Sequence, residues 1–291
     1  ACNGKDASNA ANKLINTDGV AGIIGGLCSA ETSAFTDLAE QRQVPLISYC
    51  SSAPALTSAG DYTFRDYPSD AFLGEVAANY FKNELEVSKA AVIYTKDDWG
   101  TGIQDVFVKK FTENGGEVVA TESFDKASRD MRTQLSKVKN SGAEALFFLG
   151  FSEASIPGIN QLAELDIEIP TVGGDAWGDD TIWSSVGDAG EGLMFMHPAA
   201  ADHPELLAAV QEAGYENTGL CGAQSYDAAN IFSVVIAERG IDGEAIKNGL
   251  YEIEHAGVSA NISFDENGDL VGAKYTLKRV ENGTPVEIGS F

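Results

Sequence analysis

Short apolar runs alternate with helical repeats along most of this 291-residue chain, and that alternation limits the folds open to it. Ala7, Ala10, Ala11, Leu14 and Ile15 fall on one helical face. Gly19 stands where a helix C-cap belongs, and residues 20–25 read as a short buried strand. Phe35, Leu38 and Ala39 mark a helix; residues 44–48 follow as a strand, with Pro45 near its start. A second series opens with Phe72, Val76 and Tyr80 at helical spacing. Residues 90–94, 117–120, 145–149 and 169–172 read as strands. Between them, Ile103, Phe107 and Phe111, then Met131, Leu135 and Val138, then Ile156, Ile159 and Leu162 mark helices.

Strands that alternate with helices predict an α/β protein with parallel sheets covered on both faces. The strands are too many for one sheet of ordinary size, so two Rossmann-like lobes fit better. The tail changes character. An apolar stretch at 262–264, a turn at Asn267-Gly268, a strand over 273–280 and a turn at Asn282-Gly283 predict antiparallel strands closing the chain. The three histidines, His197, His203 and His255, fall in expected loops or helix ends.

The net charge is −25 with only 19 basic residues, which argues against nucleic acid and against an anionic membrane face. No apolar run is long enough to cross a bilayer. Four cysteines, at 2, 28, 50 and 221, form no CxxC pair, so neither a metal site nor a cofactor is expected. Cys2 and Cys28 bracket one helix–strand unit. That leaves open either a bridge, which places the protein in an oxidising compartment, or two reduced thiols.

Gly25-Gly26-Leu27-Cys28-Ser29 follows a strand and precedes a helix. It is either a plain turn or an anion site made of helix-start N–H groups and the Ser29 hydroxyl. Ser51 and Ser52 lie where the next strand ends, the usual place for a ligand in a parallel sheet, and are otherwise a polar loop. Asp175, after a later strand, is either the partner of an ammonium group, or an N-cap or surface acid. Trp99, Phe151 and Tyr226 are each either pocket walls or core lids. Catalytic readings fare poorly: GxSxG, HExxH, GK[ST] and a strand-linked GxGxxG are all missing. The remaining enzymatic option is a nucleophilic Cys28 or Cys50 without an evident base.

Seven segments then carry a resemblance, in family order. They are ACNGKDASNAANKLI, IIGGLCSAETS, VPLISYCSSAPALT, GDYTFRDYPSDAFLG, AAVIYTKDDWGTG, GGDAWGDD and AQSYDAANI. The chain resembles the type I periplasmic binding proteins of the leucine/isoleucine/valine-binding group, which serve ABC transporters. The resemblance implies two lobes joined by a three-segment hinge, with a small amino acid held between them and no catalysis. It implies a Cys2–Cys28 disulfide, Ser29 on the ligand carboxylate, and main-chain groups of Ser51 and Ser52 on carboxylate and ammonium. It also implies Asp175 on the ammonium and Trp99 and Phe151 beside the ligand, with Trp177 an added candidate. Tyr49 and Cys50 stand where the family carries small or Pro residues, and the tryptophans also suit another side chain or an amide ligand.

Hinge crossings are expected at 65–69, 196–199 and 257–262. Lobe one would then hold 1–66 and 199–258, and lobe two 67–198 and 259–291. The family's N-terminal strand–helix–strand ahead of the first Cys is missing from this sequence, so the chain reads as part of a longer protein. The expected partners are an amino acid and an ABC transporter permease. The expected state is a monomer in the periplasm or outside the cell, anchored by lipid through a missing N-terminus or free. A ligand-sensing domain of a receptor or regulator, taking an amino acid or amide on the same fold, is the competing expectation.

Overall fold

Side-chain caps start several of the helices, including two that the apolar spacing predicts. In the computed structural model, which describes residues 2–199 and 203–291, Asn3 accepts the N–H groups of Lys5 and Asp6, and Asp97 accepts that of Gly100. Asp179 and Asp242 do the same for Thr181 and Ala245. Chain packing divides the molecule into two units, changing between Ser69 and Asp70, Ala199 and Ala200, and Ala273 and Lys274.

Unit one begins with α1 (Gly4–Lys13), β1 (Ile23–Ile24), α2 (Ser29–Ser33), α3 (Thr36–Arg42), β2 (Leu46–Ser48) and β3 (Thr63–Arg65). Unit two follows with α4 (Asp70–Asn83), β4 (Lys89–Thr95), α5 (Asp98–Glu113), β5 (Glu117–Phe124) and α6 (Arg132–Asn140). It continues with β6 (Ala145–Leu149), α7 (Ser152–Glu164), β7 (Thr171–Gly173), α8 (Asp180–Val186) and β8 (Met194–Pro198). The chain then returns to unit one for α9 (Pro204–Glu212), α10 (Gly222–Arg239), α11 (Gly243–Tyr251), β9 (His255–Ala256) and β10 (Asn261–Ile262). The hairpin of β11 (Tyr275–Glu281) and β12 (Thr284–Ser290) completes unit two.

Unit two is a seven-stranded sheet in the order β12-β11-β8-β7-β6-β4-β5. The strands from β4 to β8 run parallel; β11 and β12 add on antiparallel. Successive side chains enter opposite cores because a strand alternates its faces. Phe147 packs with Phe81, Phe107 and Phe111, while its neighbour Phe148 packs with Trp177, Trp183 and Phe195. Chain order reverses at β4: β5 lies on one side of it and β6 on the other. In open α/β sheets, the loops at such a switch point form the ligand crevice.

Unit one carries the parallel sheet β1-β2-β3 and the small antiparallel pair β9 and β10. Leu46 faces Ala11, Ile23 and Ala39, and Ile47 faces Ile231, Val235 and Leu250. Buried Arg65 forks onto Asp269, with Nε–Oδ1 at 2.6 Å and an Nη2–Oδ2 bond of 2.8 Å. The turn carrying Asp269 lies against β3 so closely that a Cβ on Gly268, at φ +78°, would sit 2.2 Å from the Thr63 carbonyl oxygen.

Four expectations change here. Residues 67–69 and 259–273, expected in lobe two, belong to unit one: Ile262 and Phe264 are buried with Phe64, and the Arg65 fork fixes the turn that follows. Residues 262–264 therefore do not pair with the closing hairpin, which consists of β11 and β12 about Asn282-Gly283. The first strand shrinks to Ile23–Ile24, and His197 and His255 lie within β8 and β9 rather than in loops.

Candidate functional site

Unit one gathers its polar candidates where β1 and β2 end. Ser29, Thr32, Ser48, Ser51 and Ser52 are all buried there. The Ser48 and Ser51 hydroxyls donate to the Gly26 carbonyl at 3.0 and 3.1 Å. Ser51 Oγ also lies 2.7 Å from Thr32 Oγ1, and the Ser51 N–H donates to Ser48 Oγ at 3.1 Å. These bonds lock the loop after β1 to the loop after β2.

Ser29 sits at the centre of this arrangement. Its Oγ accepts the N–H groups of Ser52 at 3.2 Å and Ala53 at 3.0 Å. A hydroxyl has two lone pairs and one proton, so the direction left to Ser29 is donation. That is the polarity an incoming carboxylate needs.

The same geometry corrects two readings. The N–H groups of the Gly-rich loop are already engaged: Thr32 Oγ1 takes that of Gly26, and the Glu31 carboxylate takes those of Leu27 and Cys28. The Ser29 hydroxyl keeps a proton to donate, whereas the Gly26, Leu27 and Cys28 amides are spent within the loop. The Ser52 N–H is likewise engaged, by Ser29 itself, so it orients the hydroxyl. The Ser51 side chain serves the scaffold.

Both disulfides lie in unit one and border these loops. Cys28, one residue before Ser29, pairs with Cys2, and Cys50, one residue before Ser51, pairs with Cys221. The second pair was not legible beforehand; the signal available was the even cysteine count, which four residues can satisfy in three ways. With its sulfur in a bridge, neither Cys28 nor Cys50 is available as a thiolate nucleophile.

Unit two places Trp99, Phe151 and Asp175 after β4, β6 and β7, at the switch point and the strand beside it. The Trp99 and Phe151 rings have centroids 4.5 Å apart. Lys126 Nζ covers the Phe151 ring at 5.0 Å, a contact that sequence spacing did not reveal. A Cβ on Gly174 would lie 3.5 Å from Trp99 Cζ2, so the indole runs beside the main chain that leads into Asp175. Asp175 is buried at 5% exposure. Asp97, two residues before Trp99, has its carboxyl held above its ordinary range mainly by burial, despite the Gly100 N–H and Lys126.

Trp177 leaves the list of ligand-facing residues. It is wholly buried among Phe148 and Trp183, and its Nε1–H donates to Ser155 Oγ at 2.8 Å. An aromatic with its polar handle satisfied inside a core packs the unit. Tyr226, in contrast, is 48% exposed on α10.

Residues 1–285 match the family model described as periplasmic binding protein. The chain belongs to that family. Among relatives of this periplasmic binding protein, the leucine-, isoleucine-, valine-, threonine- and alanine-binding protein of Pseudomonas aeruginosa is 27% identical over 283 residues, covering 95% of this chain and 76% of its own. The crystal structure of the leucine-binding protein LivK from Thermotoga maritima superposes with a TM-score of 0.91 at 26% identity, covering 99% of this chain and 84% of that one. The LivJ substrate-binding protein from Streptococcus pneumoniae, solved with isoleucine, superposes with a TM-score of 0.86 at 22% identity, covering 98% and 85%. The periplasmic binding protein fold explains why the candidate groups divide between two units: each unit supplies its own set of strand ends.

Proposed function

We propose that this periplasmic binding protein is the extracytoplasmic solute receptor of an ABC importer and takes a small amino acid of the branched-chain type. The observation that carries the reading is Ser29, whose acceptor sites are filled by Ser52 and Ala53 and whose proton is left to give. In this reading the α-carboxylate accepts from Ser29. The ammonium is met by the Ser51 carbonyl, which takes no hydrogen bond from the described residues, and by the Asp175 carboxylate. Trp99 and Phe151 bound the apolar side chain.

Charge-assisted bonds away from water are about twice as strong as neutral ones, which suits capture of a dilute solute. The relatives named for leucine, isoleucine and valine support the aliphatic choice.

Titration calorimetry with the twenty amino acids tests this. Micromolar or tighter binding of leucine, isoleucine or valine is expected. Silence from all twenty would remove the reading.

A further inference from the structure

Unit one is assembled from two chain stretches separated by the whole of the first part of unit two. Cys2–Cys28 lies within the first stretch. Cys50–Cys221 joins the two stretches, across 171 residues of sequence. Its Cα atoms are 5.8 Å apart, a normal separation for a disulfide.

The attachment points are unequal in rigidity. Cys221 is 4% exposed and immediately precedes α10, which buries Ile231, Phe232 and Val235 in the core. From the same helix, Asp227 accepts the N–H groups of Val258 and Ser259 and the Ser259 hydroxyl at 2.6–2.8 Å. Cys50 lies on the bend after β2, beyond the last paired residue of that strand, Ser48. The main chain of Tyr49 and Cys50 makes no hydrogen bond to a described residue. The residues that follow are held by Ser48, by Ser29 and by the Arg65 bond to the Ala53 carbonyl. The bend itself is held by the disulfide. Tyr49 rides on it, half-buried, with its phenol pushed up by burial and by Glu31, the residue that braces the loop before Ser29.

We propose that Cys50–Cys221 is a positioning element of the ligand site: it fixes the bend that presents the Ser51 carbonyl and aims the Ser52 and Ala53 N–H groups at Ser29. The inference rests on the amino-acid-binding reading for its effect on affinity, but its effect on the loop does not depend on any ligand. Loops ordered before binding lose less freedom on binding, so a tethered bend binds more tightly than a free one.

The bond can be removed by the double substitution Cys50→Ser and Cys221→Ser. If that variant does not fold, the native protein can be treated with a dithiol. Each dithiol gives up two electrons and two protons, closes to a cyclic disulfide and leaves one cysteine pair as thiols; alkylation and mass mapping select protein with Cys50 and Cys221 opened and Cys2–Cys28 intact. Hydrogen exchange on the ligand-free protein is expected to speed up at the N–H groups of Ser51, Ser52 and Ala53, while α10 stays protected. Affinity for L-leucine at 25 °C is expected to weaken by about tenfold or more, in protein that is still folded. A purely structural bond would lower the melting temperature and leave both readouts unchanged, which would overturn the proposal. Faster exchange at the three amides with no amino-acid binding by the native protein would support the positioning role and refute the receptor reading separately.

Discussion

The hydroxyl oxygen of Ser29 accepts the main-chain N–H of Ser52 at 3.2 Å, tying together two loops 23 residues apart in sequence. Ser29→Ala removes the donor proposed for the ligand and strands two buried N–H groups, those of Ser52 and Ala53. Unfolding in denaturant should report a loss of about 1–3 kcal/mol. Calorimetry at temperatures where the variant is folded should report at least about a hundredfold weaker binding, because a hydrogen bond to a charged group is lost as well.

Asp175→Asn keeps the shape of a buried side chain and removes its charge. The expected cost is about 2–4 kcal/mol in amino-acid binding, measured by calorimetry at temperatures where the variant is folded. An unchanged affinity takes Asp175 out of the site.

Trp177→Phe separates core packing from ligand contact. The variant loses the indole bond to Ser155 and the volume of one ring, so stability should fall by about 1–3 kcal/mol. The order of preference among leucine, isoleucine and valine should stay as it was. A reordered preference, measured by calorimetry, would return Trp177 to the ligand.

Two titratable groups, half-buried His197 and buried Asp66, give opposite pH dependences. His197, packed over Gly178, is lowered to about 4 by burial first and by Lys278 second. Its folded value lies below its ordinary 6.5, so the stability it contributes is present above pH 6.5 and lost as pH falls toward 4. The loss is at most about 3 kcal/mol and should vanish in His197→Gln. Asp66 is raised well above 3.8 by burial and then by Asp227, and neither of its carboxyl oxygens accepts a side-chain or main-chain bond from another described residue. The folded state holds that proton more tightly than the unfolded chain. Stability therefore falls as pH rises from the ordinary carboxylate range through the raised value. Asp66→Asn should gain on the native protein at pH 8 relative to pH 4, as followed by urea unfolding.

Much of the architecture is legible in the sequence because parallel strands buried on both faces leave continuous apolar runs, such as 145–149. What escapes depends on partners far along the chain. The alternation Ile262, Phe264 reads as a strand of the closing hairpin, yet Arg65, some two hundred residues earlier, decides where that turn lies. Ser29 is legible as a candidate; the engagement of its oxygen by Ser52 and Ala53 is not, since main-chain geometry sets it. Trp177 misleads because an aromatic at a strand end fits either a wall or a core, and only Ser155 beneath it resolves the choice.

The proposed site recognises a zwitterion at both charged ends. The direct measurement is calorimetry comparing L-leucine with 4-methylpentanoate, which lacks the ammonium, and with L-leucinamide, which lacks the carboxylate. Both analogues should bind at least about a hundredfold more weakly than leucine. Equal binding of leucine and 4-methylpentanoate would contradict the account and mark the site as one for carboxylic acids without an amine.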